Sequence, residues 1–349
     1  MSIAITWSRW PASTLVALLS SVALSGTVQA LSTAVELHIP QGSQSVSGTA
    51  TRWYHVLPAR TEAGRAAHRG GPGTVSAPSS TGASSLASTL PSNPRFFPAD
   101  LSYFGGNVVL SAESINIYID CGTSDSCWGS PTQFLGDLGA SKFIHLLDQY
   151  VGSRAKNRYT LSSTFFFAQT NPGVTLLTLA DVENTVHQAA QVGGAGLDHI
   201  YHLFLPQGID VCMDASTCYS PDDVTTFVFC AFHSDVAFND TGDILYTVEP
   251  FQNVPGCAVA PPNPNGQLTD STNSVLSHEI FETITDPQGD AWFAASSGPE
   301  KGNEVADVCQ GVGDMNAQEI VPSYVLVAGK TYQTQLEYSN KTHRCATKP

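Results

Sequence analysis

The chain has 349 residues, 42% of them hydrophobic and only 13% charged, with 15 lysines and arginines against 30 aspartates and glutamates. A formal net charge of −15 argues against nucleic acid as a partner, since phosphate binding needs a basic face, and against docking on anionic lipid. There is neither a glycine period nor a long heptad run, which excludes collagen and coiled coil.

Residues 1–30 hold one charged side chain, Arg9, an apolar run from Leu15 to Leu24, and the small-x-small triplet Val28-Gln29-Ala30. These are the parts of a secretory signal peptide, and the run is too short to span a bilayer. No later run approaches about 18 apolar residues, so no membrane span is expected. The expected location is secreted, extracellular or periplasmic.

Residues 31–96 read as a flexible Ser/Gly/Ala/Pro-rich leader or pro-segment. Five arginines against two glutamates make it +3, whereas 97–349 hold 9 basic and 28 acidic residues, or −19. The segment is either a solvated leader or a cationic cover for an acidic cleft.

From 97 onward the pattern is a mixed α and β core. Asn107–Leu110 and Ser114–Ile119 read as strands. Phe134, Leu138, Ile144, Leu147 and Val151 fall at helical spacing across 132–151. Tyr159–Gln169 is an aromatic-rich strand. Thr178 and Asp181 form a capping box for a helix running through Gln191. Ile200–Leu205, Thr226–Phe232 and Ile244–Val248 are short strands, and Thr272–Ile284 is a helix. Tyr324–Val327 and Tyr332–Tyr338 form a hairpin around Ala328-Gly329-Lys330.

The cysteines are Cys121, Cys127, Cys212, Cys218, Cys230, Cys257, Cys309 and Cys345. An even count behind a signal peptide reads as disulfides, and proximity pairs them in that order. A four-cysteine zinc site is the alternative, but no CxxC pair exists. Asp210, Asp214, Asp222 and Asp223 make an acidic loop without EF-hand order. His233 is either a pocket residue or a packed histidine. Asn239 and Asn340 head glycosylation sequons. No GxSxG elbow, phosphate loop or dinucleotide fingerprint is present.

The chemistry concentrates in 270–309. On a helix, His278 and Glu282 are four residues apart and project from one face. An imidazole and a carboxylate on adjacent turns can hold one divalent cation. Glu279 lies beside the first ligand and is placed to act as general base toward a water. This is the HExxH logic with glutamate at the second ligand position.

Downstream, Glu304 and Asp307 follow in an order that resembles the thermolysin-type gluzincin metallopeptidases. The resemblance implies His278, Glu282 and Glu304 as metal ligands and Glu279 as the catalytic base. Asp307 would then orient a ligand imidazole or serve as the alternative ligand. One divalent ion is implied, zinc first. Glu282 adds a negative charge to the shell, which makes manganese, iron or calcium more plausible than at a two-histidine site. The expected fold is an α+β, zincin-like single catalytic-type domain with a mixed or antiparallel sheet, stapled by disulfides.

A broader resemblance uses the same residues. His278-Glu279-x-x-Glu282, Ala291-Trp292-Phe293 and Glu304-Val305-x-Asp307-x-Cys309 are similar to the ordered motifs of the EXORDIUM (phosphate-induced protein) family. Leu101-Ser102-Tyr103-Phe104-Gly105-Gly106 resembles that family's opening motif, and the likeness covers roughly 100–349. It implies an extracellular or cell-wall-associated protein. The expected partner is a peptide or protein substrate if the chain is an enzyme, and a cell-wall or extracellular ligand otherwise.

Overall fold

Strands buried along most of their length build a mixed seven-stranded sheet. The computed structural model describes residues 37–38, 53–69, 100–152, 159–168, 173–294, 302–310, 323–327 and 329–349. All of these belong to the unit formed by residues 32–349. Residues 1–30, read as a signal peptide, and most of 31–96, read as a leader, lie outside the described residues.

The sheet strands are β1 (Leu37–His38), β2 (Tyr54–Pro58), β3 (Ala112–Ile119), β4 (Tyr159–Ala168), β5 (His199–Phe204), β6 (Phe229–Phe238) and β7 (Gly242–Glu249). Their order is β1-β4-β3-β5-β7-β6-β2. The helices are α1 (Glu62–Arg69), α2 (Pro131–Gly139), α3 (Asp148–Val151), α4 (Leu179–Gly193) and α5 (Gln267–Thr285).

The sheet is mixed, but it is not the largely antiparallel sheet of a segregated α+β fold. Four of its six pairings are parallel and only β6 runs against the rest. The cause lies in the connections. β3 reaches β4 through α2 and α3, and β4 reaches β5 through α4. A helical crossover returns the chain in the same direction, whereas only β6 and β7 are joined by a tight turn.

Two faces of the sheet are covered. Ile115, Ile117, Tyr201, Leu203, Tyr246 and Val248 pack with Val182, Val186 and Ala189 of α4. That helix starts as its sequence dictates, with a Thr178–Asp181 capping box. The other face carries Tyr118, Ile200, Phe204 and Leu245 against α2 and against Leu276, Ile280, Phe281 and Ile284 of α5.

Three local expectations change. Asn107–Leu110 is not a strand; Leu101–Tyr103 is, paired with Trp292–Ala294. The backbone N–H of Val109 donates to Ile284 O at the end of α5, so this stretch follows the helix end. The 132–151 spacing does not give one helix, because α2 stops at Gly139 and a 3₁₀ turn at Ile144–Leu147 intervenes. A Cβ on Gly139 would lie 2.5 Å from Tyr159 O, so glycine lets the helix end meet the start of β4. Residues 53–69, placed by composition in the leader, form β2 and α1, with Leu57 and Ala59 buried. Among the described residues no helix is long and apolar enough to cross a membrane.

The disulfides are Cys121–Cys127, Cys212–Cys218, Cys230–Cys257 and Cys309–Cys345, the pairing that proximity gives. No described cysteine is free. Four bridges point to an oxidising, extracellular environment. Cys230–Cys257 ties β6 to the segment entering α5. Cys309–Cys345 ties the 3₁₀ turn Asp307–Cys309 to the strand Arg344–Ala346. This last bridge spans 36 residues, and such a loop is worth about 3–4 kcal/mol of constraint on the unfolded chain. Replacing Cys309 and Cys345 together by serine should lower stability by about that amount in urea titration. A loss below about 1 kcal/mol would show that the bridge does not hold this region.

Candidate functional site

Helix α5 is buried from Asp270 to Thr285, although 11 of these 16 residues are polar. Hydroxyls of its last turns bond back to the helix: Thr283 donates to Glu279 O at 2.6 Å and Thr285 to Phe281 O at 3.0 Å. Asp270 anchors the first turn by accepting from the side chain and backbone N–H of Asn265. Asp286, before Pro287, ends the helix and accepts from Ala291 N–H at 2.7 Å.

The face with His278, Glu279 and Glu282 looks onto a polar rung of the sheet. Strand register pairs Asn116 with His202, His202 with Thr247, Thr247 with His233, and His233 with His55. Paired residues share a face, so these five side chains run across four adjacent strands and onto the edge strand β2. The rung ends at the cluster.

Seven side chains meet there: His55, His233, His278, Glu279, Glu282, Glu304 and Asp307, six of them under 3% exposed and His55 at 6%. His278 Nε2 lies 3.1 Å from Glu282 Oε2 and 3.8 Å from Asp307 Oδ1. His233 Nδ1 lies 3.1 Å from Glu279 Oε2 and 3.6 Å from Glu282 Oε2. His55 Nε2 meets Asp307 Oδ2 at 2.5 Å, and its Nδ1 is 3.2 Å from Glu304 Oε1. Asp307 N–H donates to Glu282 Oε1 at 3.1 Å, so the 3₁₀ turn is fastened to α5.

The five residues singled out by sequence come together, but not as one trio of ligands. The downstream carboxylate that meets His278 is Asp307. Glu304 turns instead to His55 Nδ1 and, at 3.6 Å, to His233 Nε2. Glu279 is held by His233. The acidic loop folds on itself, with Asp214 accepting from Ser216 N–H and Thr217 N–H.

The donors suit a cation because several lack any other partner. His233 Nε2, His278 Nε2, Glu279 Oε1, Glu282 Oε2 and Glu304 Oε2 are buried without a hydrogen bond. Each such atom costs about 1–3 kcal/mol if left unsatisfied. His278 Nε2 and Glu282 Oε2 are close yet not hydrogen-bonded to one another. Neighbouring ligand atoms around a tetrahedral ion with bonds near 2.1 Å stand about 3.4 Å apart, which fits these separations.

His278 is also oriented. Gln335 Nε2 donates to Ala306 O at 2.6 Å, so Gln335 Oε1 faces His278 Nδ1 as an acceptor, 3.2 Å away. The Nδ1–H tautomer leaves Nε2 with its lone pair, as a metal ligand needs. Gln335 holds this place because the expected strand 332–338 breaks between Lys330–Thr334 and Glu337–Ser339. Ligand-competent atoms of His55, Glu282 and Asp307 lie within 4.8 Å of one another, as do those of His233, Glu279 and Glu282.

Without an ion the charges strain one another. Burial, then the charges of Glu249, Glu282 and Asp307, push Glu279 well above the usual carboxylate range. Burial, then Asp286, Glu282 and Asp307, does the same to Glu304. Burial would lower His55, but the charges of Asp307 and Glu282 outweigh it and raise His55 to about 9. Burial works against ionised Asp307, yet His55 and His278 hold it below the usual range. Glu249 rises to about 8 and Asp286 to about 7, both chiefly by burial.

His55 and His233 were not assigned as ligands from sequence. Their signal is cross-strand register, which no local spacing reveals. Trp53 stands edge-on to the His233 ring with centroids 5.2 Å apart. Trp53 is admitted by Gly289, where a Cβ would fall 2.1 Å from the indole nitrogen and φ is +73°.

No family model matches this chain, and neither a curated protein nor a solved structure matches it.

The raised groups fix the direction of a pH response. His55, Glu249 and Asp286 bind protons more tightly folded than unfolded, so the stability they confer is present at low pH and lost as pH rises through their folded values. His202, lowered to about 3 by burial, contributes fully above its unfolded value near 6.5. The chelator-treated protein should therefore lose melting temperature steadily from about pH 6.5 to 9. A melting temperature that is flat or rising across that window would contradict the burial of these groups.

Proposed function

We propose that the protein is an extracellular metal-dependent hydrolase, with peptide bonds as its substrate class. The observation that carries this reading is the convergence of bare, buried lone pairs on His278 and Glu282, with Glu279 adjoining them on the same helix. His278 and Glu282 hold a divalent ion, zinc first, and Asp307 or Glu304 adds the downstream carboxylate. A bound ion there supplies Lewis acidity toward a carbonyl oxygen. Glu279 Oε2 is engaged by His233, which leaves Oε1 as the oxygen that takes a proton from water. Gln335 keeps His278 in the ligand tautomer, and the aliphatic and aromatic side chains Leu276, Ile280, Phe281 and Ile284 of α5 keep bulk water from its buried side.

This reading includes a zincin-like arrangement, in which a mixed sheet packs on the helix bearing the motif. It also includes kinship with EXORDIUM-like extracellular proteins, supported by the order of motifs from Tyr103 to Cys309. A second reading has its own support: every donor is buried and Glu279 sits within a donor triad. That closure favours an ion that is structural in a non-catalytic, extracellular or wall-associated protein.

The two readings part on one experiment. The purified secreted protein is given a peptide library, with chelator and Glu279→Gln as controls. The hydrolase reading expects cleavage that chelator abolishes, and a loss of about 10²–10⁴-fold in Glu279→Gln with the ion at His278 and Glu282 retained. Absent cleavage, or cleavage unaltered in Glu279→Gln, hands the site to the structural reading.

A further inference from the structure

We propose that the cluster is built for two divalent ions, with Glu282 shared between them. The inference rests on the metal-binding reading above and goes beyond its single ion. The cluster supplies more donors than one tetrahedral ion can use: three imidazoles and four carboxylates, against four positions.

Five of these donors fall into two groups that share Glu282, with His278 and Glu304 standing beside them. His55, Asp307 and Glu282 form one, and His233, Glu279 and Glu282 form the other. Glu282 Oε2 is directed at His233 and His278, while Oε1 accepts from the backbone of Asp307. Glu304 spans the same divide, with Oε1 toward His55 and Oε2 toward His233. Carboxylates that present one oxygen to each of two positions are the usual bridges of paired metal ions, which stand about 3.5–4 Å apart.

Charge points the same way. Glu279, Glu282, Glu304 and Asp307 carry four negative charges when ionised. One divalent ion supplies two positive charges, and the remainder must come from imidazolium, from protons on the carboxylates or from a second ion, since unpaired charge at nearly zero exposure is costly. Two divalent ions balance all four carboxylates. Bare acceptor atoms remain throughout the cluster, at His233 Nε2, Glu279 Oε1, Glu282 Oε2 and Glu304 Oε2.

The test is stoichiometry and magnetic coupling. The full secreted protein is stripped with chelator, reloaded separately with Zn²⁺ and Mn²⁺, and desalted. Mass spectrometry of the metal should find about two ions per chain, and the Mn²⁺ form should show the broad electron-spin resonance of a coupled pair. His233→Ala and His55→Ala should each retain about one ion and revert to the six-line spectrum of isolated Mn²⁺. One ion per wild-type chain overturns the pair while leaving the single-ion reading intact. Two uncoupled ions also overturn it, because ions sharing Glu282 must couple. No bound ion overturns both readings. The wild-type measurement decides even where a histidine variant fails to fold.

Discussion

Four carboxylates and three imidazoles enclosed between a helix and a sheet set the terms for the rest of this molecule. Moving one unpaired carboxylate into such an interior costs on the order of tens of kcal/mol in the idealised limit. The fold answers by bringing imidazoles to the acids: His55 from β2 and His233 from β6 meet His278 and the carboxylates of α5 and of the turn at Asp307–Cys309. The Asp307 backbone bonds Glu282, Gln335 holds both His278 and Ala306, and Cys309–Cys345 secures the turn. Each fastening keeps a charged group where its neighbours need it.

The same economy shapes the sheet. On the α5 side, His202 is held neutral by burial and joins two strands. Thr247 donates to Glu249 at 2.9 Å, so His202 Nδ1–H must donate to Thr247, also at 2.9 Å. His202 Nε2 then accepts from Ser114 at 2.8 Å, and Ser114 accepts from Tyr159. The hydrogen bonds run one way across β4, β3, β5 and β7, from a phenol to a carboxylate. That carboxylate, Glu249, is among the charges that raise Glu279. The chain of hydrogen bonds and the cluster are thus coupled through the charge of Glu249.

What could be read from the sequence was what is local. The four-residue spacing of His278 and Glu282 put them on one face, and α5 exists largely where the pattern placed it. Thr178 and Asp181 announced α4, and nearest-neighbour pairing of cysteines matched the bridges. What depends on distant pairing was hidden. His233 faces α5 because it sits opposite Thr247, and His55 because it sits opposite His233. A short strand inside an arginine- and glycine-rich stretch offers too few alternating positions to stand out from its flanks. Glu304 is a similar case: its chain position suggested a partner for His278, but the turn that carries Asp307 directs it to the other two histidines.

His55 is 252 residues away from Asp307, which it touches. A chain made from its N-terminus delivers His55 early and Asp307 late. Closing so long a loop has a high entropic cost that only a nearly complete scaffold can offset. The pocket is therefore finished late, after α5, the sheet interior and the final bridge are in place. A cation captured before that moment would meet scattered ligands of other geometry. For a site that takes a cation, the compartment in which folding ends sets which ions are on offer.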